Sequence, residues 1–219
     1  MFESKAGILL VGGLGFFVFA FVSNAVVPIL MYQHMPEQTA EQVVNANLMY
    51  QVEDLQRRYP EPFKKYVGEK PTTENVAAML RHGRDIYVGE GCWHCHSQYI
   101  RPVSNESKRW GPVARSVEYQ NELQRPVMFG TRRVGPDLSR ESGRRSNDWH
   151  AVHFHHPKTV SPNSPMPAYP WFFDNDNPSE PNRRGLALMT YIQWLGSWLE
   201  VSPTYENYQP LPDVEVKAP

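Results

Sequence analysis

The chain has 219 residues, 41% of them apolar, enough for one domain of ordinary size with a packed core and some appended segments. A formal net charge of -1 excludes the basic excess of a nucleic-acid-binding protein, so no nucleic-acid partner is expected. Cys92 and Cys95 are the only thiols, which excludes a disulfide framework of the small secreted kind.

Residues 1–6 form a short amino-terminal segment carrying Lys5, and residues 7–31 then read "GILLVGGLGFFVFAFVSNAVVPILM" without a charge. At a rise of about 1.5 Å per residue this run crosses a hydrocarbon core of about 30 Å, and a transmembrane anchor is predicted over 7–32. A cleaved signal peptide fits less well, because its apolar region spans only about 7–15 residues and ends at small residues. Here the run ends in Pro28, Ile29, Leu30, Met31 and Tyr32. Lys5 precedes the anchor and the next Lys or Arg is Arg57, so the positive-inside rule puts residues 1–6 in the cytoplasm and the remainder outside. Gly12, Gly13 and Gly15, with Ser23 and Asn24, offer a close-packing face to another membrane helix.

Residues 33–73 are polar and mixed. Val43, Val44, Leu48, Val52 and Leu55 recur at helical spacing before "RRYPEPFKKY" breaks the pattern with two prolines, and the segment reads as a partly structured spacer. A domain is predicted over 74–201. It opens with an amphipathic helix capped at Thr72 or Thr73, with Val76, Met79, Leu80, Ile86 and Tyr87 on its apolar stripe and Gly89 or Gly91 closing it. A second such helix lies in "NRRGLALMTYIQWLGSWLE", and residues 202–219 form a proline-bearing tail.

Between the two helices lies "GCWHCHSQYIRPV", in which Cys92, Cys95 and His96 make the C-x-x-C-H pattern of covalent haem attachment. Two thiols at this spacing bond the two vinyl groups of one porphyrin, and the adjacent histidine then lies under the iron. Zinc would need further ligands, usually a second cysteine pair, and a redox dithiol would need a βαβ context; the chain has neither. One covalently bound haem c is the expected cofactor.

The two helices together resemble the first and last helices of a class I cytochrome c fold. The expected fold class is therefore mainly α, with a single N-terminal transmembrane helix followed by a class I cytochrome c domain carrying a long loop insertion. "VGPDL" at 134–138 resembles the loop whose proline carbonyl accepts a hydrogen bond from the proximal histidine, here Pro136 from His96. The fold also implies a distal ligand. Met79 and Met189 fall at core positions, and Met166 in the proline-bracketed "SPNSPMPAYPW" is the favoured choice, with Met128 in reserve. A histidine from "DWHAVHFHHP" is the rival, although His150, His153, His155 and His156 are expected to face solvent or a partner, on a short helix capped by Asn147 or Asp148.

The combination of "CHSQYIRP", "GPDL", "DWH" and "SPMPAY" resembles the mono-haem O subunit of cbb3-type cytochrome c oxidases, from the anchor to the last helix. The resemblance implies an electron-transfer subunit of a proton-translocating oxidoreductase complex, with no catalytic site of its own, in a bacterial inner membrane with the haem domain on the periplasmic side. Its partners would be membrane lipid, the catalytic haem-copper subunit and a further cytochrome c subunit. Residues 97–135 would dock the large subunit. Arg101 would contact a haem propionate or the partner, and Arg132, Arg133, Arg140, Arg144 and Arg145 would form a basic patch or an ordinary solvated surface. The alternatives are the cytochrome subunit of a nitric oxide reductase and a haem-based sensor.

Overall fold

The computed structural model describes residues 4–34 and 36–199; the tail expected over 202–219 lies outside the described residues. The chain divides into two compact units, Met1–Glu37 and Gln38–Pro219. Among the described residues there is no named strand, only the isolated bridges Gln38 to Asn121 and Phe173 to Pro181. The expected mainly α architecture is what is found.

The first unit is one apolar helix, α1 (Lys5–Tyr32), long enough to cross a membrane and with none of its most apolar stretch buried. Ser4 starts it, its hydroxyl accepting the Gly7 N–H at 3.1 Å. Over Val22–Val26 the helix widens into a π turn. Pro28 accounts for the position: it has no N–H to give the Asn24 carbonyl, and its ring crowds that turn. Ser23 Oγ donates to the Phe19 carbonyl at 2.8 Å and Asn24 Nδ2 to that of Ala20 at 2.9 Å, so both polar side chains are satisfied within the helix.

In the second unit, α2 (Ala46–Arg58) and α3 (Pro60–Tyr66) come first. They belong to the same compact unit as the rest, so the stretch expected to act as a spacer contributes side chains to the core from Gln38 onward. Leu48, Val52, Leu55 and Phe63 are all fully buried, and each contributes about 1.5–3 kcal/mol relative to exposure. Pro60 takes the first turn of α3, where its missing N–H costs nothing. Polar bonds add to the docking: Asn45 Nδ2 to Ser197 Oγ at 2.8 Å, and Asn147 Nδ2 to Asp54 Oδ2 at 2.9 Å.

The centre of the unit is the crossing of α4 (Thr73–Gly89), the CWHC turn α5 (Cys92–Cys95) at its end, and α8 (Arg183–Trp194). Thr72 and Asn75 form a reciprocal cap, with the Asn75 N–H donating to Thr72 Oγ1 at 3.3 Å and the Thr72 N–H to Asn75 Oδ1 at 2.7 Å. Val76, Met79, Leu80, Ile86 and Tyr87 are buried as their spacing predicts. The crossing is close because Gly83 lies in it. A Cβ there would stand 2.2 Å from the Ala187 carbonyl oxygen and 2.6 Å from Tyr191 Cβ. Every residue from Gly185 to Trp194 is buried, so α8 is enclosed on all sides.

Residues 97–135, the expected long loop insertion, are mostly irregular and carry short helical pieces. They include α6 (Glu106–Trp110) and two short 3-10 turns, Ser116–Tyr119 and Glu122–Gln124. Ile100, Trp110, Tyr119, Leu123 and Met128 are buried. Arg140, 1% exposed, closes a bidentate ion pair on Glu118 at 2.6 and 3.0 Å. The expected basic patch is therefore not one surface: Arg140 is internal and the Arg133 side chain is only 13% exposed. The last new element, α7 (Asn147–His155), starts one residue earlier than expected. Ser146 caps it, its hydroxyl accepting the Trp149 N–H at 3.2 Å.

Candidate functional site

Helix α4 ends at Gly89, and Gly91 at φ +72° turns the chain into the single helical turn of α5. A residue with a side chain would be strained at that φ, so the glycine suits the bend. One turn of helix places Cys92 and Cys95 on the same face. The thiols are free, Cys92 partly buried and Cys95 exposed. Burial, then the nearby Glu90, pushes the Cys92 thiol up to about 12, so it stays protonated. A protonated thiol is a weak nucleophile and does not suit a reactive dithiol. Among the described residues no three His, Cys, Asp or Glu side chains are grouped to hold a metal ion.

His96 leaves the turn in an extended conformation, its N–H still donating to the Cys92 carbonyl at 2.9 Å. Its Nδ1 lies 2.9 Å from the Pro136 carbonyl oxygen. A carbonyl only accepts, so Nδ1 carries the proton and Nε2 keeps a free lone pair. Burial lowers the pKa of the ring, which favours the neutral form, against the opposing pull of Pro136 and Asp137. Gly135 packs against this ring: a Cβ at 135 would stand 2.2 Å from His96 Cε1 and 2.6 Å from both ring nitrogens. The glycine of "GPDL" thus makes room for the imidazole and the proline holds it.

Backbone bonds run the two segments alongside each other. The Gly135 N–H donates to the Cys95 carbonyl at 3.0 Å, that of Leu138 to Ser97 at 2.9 Å, and those of Thr131 and Arg132 to His94 at 3.2 and 3.1 Å. Behind them the Tyr87 hydroxyl donates to the His96 carbonyl at 2.6 Å, Tyr191 to Gln98 Oε1 at 3.1 Å and Tyr119 to the Gln98 carbonyl at 2.9 Å. Three tyrosines, at 87, 119 and 191, therefore hold His96 and Gln98 in place. The tyrosine hydroxyls were not predicted as supports, because helical spacing marks Tyr87 and Tyr191 only as apolar positions.

Met166 is half-buried and packs against the core, as do Cys92, Trp93 and Leu138. The loop that carries it returns to α7 through the Tyr169 N–H, which donates to the Phe154 carbonyl at 2.8 Å. Burial raises the Tyr169 hydroxyl to about 12. Met128, the reserve choice, is 5% exposed in the core, and its carbonyl accepts the Gln98 N–H at 2.7 Å. Arg101 is engaged within the chain: its Nε donates to Glu106 Oε1 at 2.6 Å and its backbone N–H to Oε2 at 2.8 Å.

The histidine cluster departs from expectation. His150 is 2% exposed and does not face solvent, because α7 is wrapped by α2, α8 and the aromatic residues after Tyr169. His153 is partly buried and stacks on Trp149 at 4.5 Å. Burial first, then neighbouring positive charge, lowers His150 to about 3 and His153 to about 4, so both rings are neutral at pH 7. His155 is partly buried beside Asp176 Oδ1 at 2.8 Å, and His156 is exposed. His150 Nε2 and His153 Nδ1 are buried without a hydrogen-bond partner. Orphaned buried nitrogens, two thiols on one face and a neutral imidazole with a free lone pair are what a flat iron-bearing ring would meet, and the residues present fit a haem.

A search among curated proteins gave no match. The family model described as "Cytochrome C oxidase, mono-heme subunit/FixO" matches residues 43–195, well over half of the chain. The matched region contains the cysteine pair, His96, the Gly135 and Pro136 support, the histidine helix and Met166. The chain therefore belongs to the FixO family, the mono-haem subunit of cbb3-type cytochrome c oxidase.

Proposed function

We propose that this subunit carries one covalent haem c and relays single electrons toward the oxygen-reducing subunit of its complex. The observation that carries the reading is the His96 ring, neutral, hydrogen-bonded through Nδ1 to Pro136 at 2.9 Å and leaving Nε2 free beside Cys92 and Cys95. In this reading Cys92 and Cys95 would hold the haem through thioether bonds, and His96 and Met166 would ligate its iron. The haem, when bound, supplies a one-electron ferric/ferrous couple whose potential rises with methionine ligation.

The rest is the work of the chain. Pro136 orients the imidazole and makes it a better donor to the iron, and the buried α4 and α8 crossing keeps water from the proximal side. The prolines around Met166 limit what its loop loses on ordering. Helix α1 anchors the subunit in a bacterial inner membrane with residues 1–6 cytoplasmic and the haem domain periplasmic, following the charge of Lys5. The partners are the haem-copper subunit and a further cytochrome c subunit, in a complex that moves protons as it reduces oxygen.

The test is to extract the protein in mild detergent by a tag on this chain. Haem should stay with it on a denaturing gel and be lost from the Cys92→Ala, Cys95→Ala double variant. The eluate should consume oxygen and contain a polytopic haem-copper subunit. Nitric oxide consumption without oxygen consumption, or a chain recovered alone, overturns the oxidase assignment of the electron path.

A further inference from the structure

Asp137, inside "GPDL", is a carboxylate with 0% exposure. A buried charge of this kind is expensive unless it is paired and hydrogen-bonded. It is hydrogen-bonded by three donors: Ser97 Oγ at 2.6 Å and the Tyr99 N–H at 2.9 Å to Oδ2, and the Ser139 N–H at 2.8 Å to Oδ1. The nearest cation, Arg133, stands 4.0 Å away and is shared with Glu106, so it neutralises Asp137 only in part. Two of the donors lie one and three residues after His96, and the third lies three residues after Pro136. The carboxylate therefore binds the segment bearing the proximal histidine to the segment bearing the carbonyl that holds it. It also lies one residue from that carbonyl.

We infer that Asp137 is a positioning residue for His96, fixing the Pro136 carbonyl on the imidazole N–H and adding a buried negative charge beside it, and that it thereby lowers the potential of the iron that His96 ligates. This rests on the reading of His96 as a haem ligand. The direction follows from two effects that agree. A fixed carbonyl draws on the N–H and leaves the imidazole more electron-rich, and a nearby negative charge favours the ferric form. Removing the charge weakens both. Ser97 serves the same clamp through one hydrogen bond, and its loss leaves the charge in place.

The experiment is a spectroscopic redox titration of the full chain in detergent, with covalent haem scored in parallel on a denaturing gel. In Asp137→Asn the ferrous-to-ferric ratio at a fixed applied potential should rise about tenfold, an upward shift of about 59 mV for one electron. Ser97→Ala should shift in the same direction by less. Covalent haem with an unshifted potential in both variants overturns the inference, even if both are less stable, because a purely structural role lowers stability and leaves the potential alone. If Asp137→Asn fails to accumulate, Ser97→Ala decides alone: a rise in potential supports the inference and an unchanged value overturns it. Wild-type chain without covalent haem sinks the haem reading itself, a different result from either.

Discussion

His96 is held by a residue 40 positions further along the chain, whereas the bonds around Met166 are nearly all local. Beyond the turn itself, the partners of residues 94–99 come from 87, 119, 128, 131–138 and 191. Around Met166 the Ser161 N–H bonds back to the Pro157 carbonyl at 2.9 Å, that of Ser164 to Ser161 at 2.9 Å and the Met166 N–H to Ser164 Oγ at 3.2 Å. Only the Tyr169 N–H, on the Phe154 carbonyl, reaches further. Pro162, Pro165, Pro167 and Pro170 flank the segment and restrict its backbone. A side chain can thus be fixed either by tying its segment to the fold or by leaving its segment few conformations to lose. The first couples ligation to stability and the second largely separates them.

The sharpest way to break this contrast is Gly135→Ala. The added methyl falls 2.2–2.6 Å from the His96 ring, so the imidazole must leave the Pro136 carbonyl. A low-spin haem spectrum should be lost, and the overpacking should cost about 1–3 kcal/mol in urea unfolding. A variant with unchanged spectrum and stability would show that the proximal side is not tied to the fold in this way.

Acid should act on the same side. Burial would raise the Glu106 carboxyl, but hydrogen bonds from Arg101 and Arg133 overcome it and hold the group at about 2, below its ordinary 4.5. A depressed carboxylate adds stability above the unfolded pKa, and that stability is lost as pH falls through the folded one. Between pH 4.5 and 2 the wild type should lose stability more steeply than Glu106→Gln, measured by urea midpoints across that window. Parallel curves would remove Glu106 from the account.

The smallest effect on stability is expected at Met166→Ala. Sulfur-to-iron charge transfer should vanish from the near-infrared spectrum while covalent haem remains, and stability should fall by roughly 1 kcal/mol, since the side chain is only half-buried. An intact band would exclude Met166 as the distal ligand, and a large loss of stability would erase the contrast between the two sides.

Much of this was legible in the residues. The apolar run without charge, the two amphipathic stripes and the C-x-x-C-H pattern are local signals, set by periodicity and spacing, and helices α1, α4 and α8 lie where those signals put them. What was not legible depends on residues far apart in the chain. The stripe Leu48, Val52 and Leu55 predicts a helix but not that the helix is core, and spacing alone cannot tell a docked helix from a spacer. His150 reads as a polar residue in a polar cluster, yet it is 2% exposed because α2 and α8 close over α7.

The sequence by itself determined the haem motif, the membrane-length helix and the family, because each is carried by residues close together in the chain. Only the tertiary structure decided that Asp137 joins Ser97, Tyr99 and Ser139, that Gly83 lets two helices meet and that Gly135 faces the His96 ring. Contacts of this kind exist only once the hydrophobic crossing of α4 and α8 has brought distant segments within hydrogen-bonding range, and no local pattern encodes the partner across that gap.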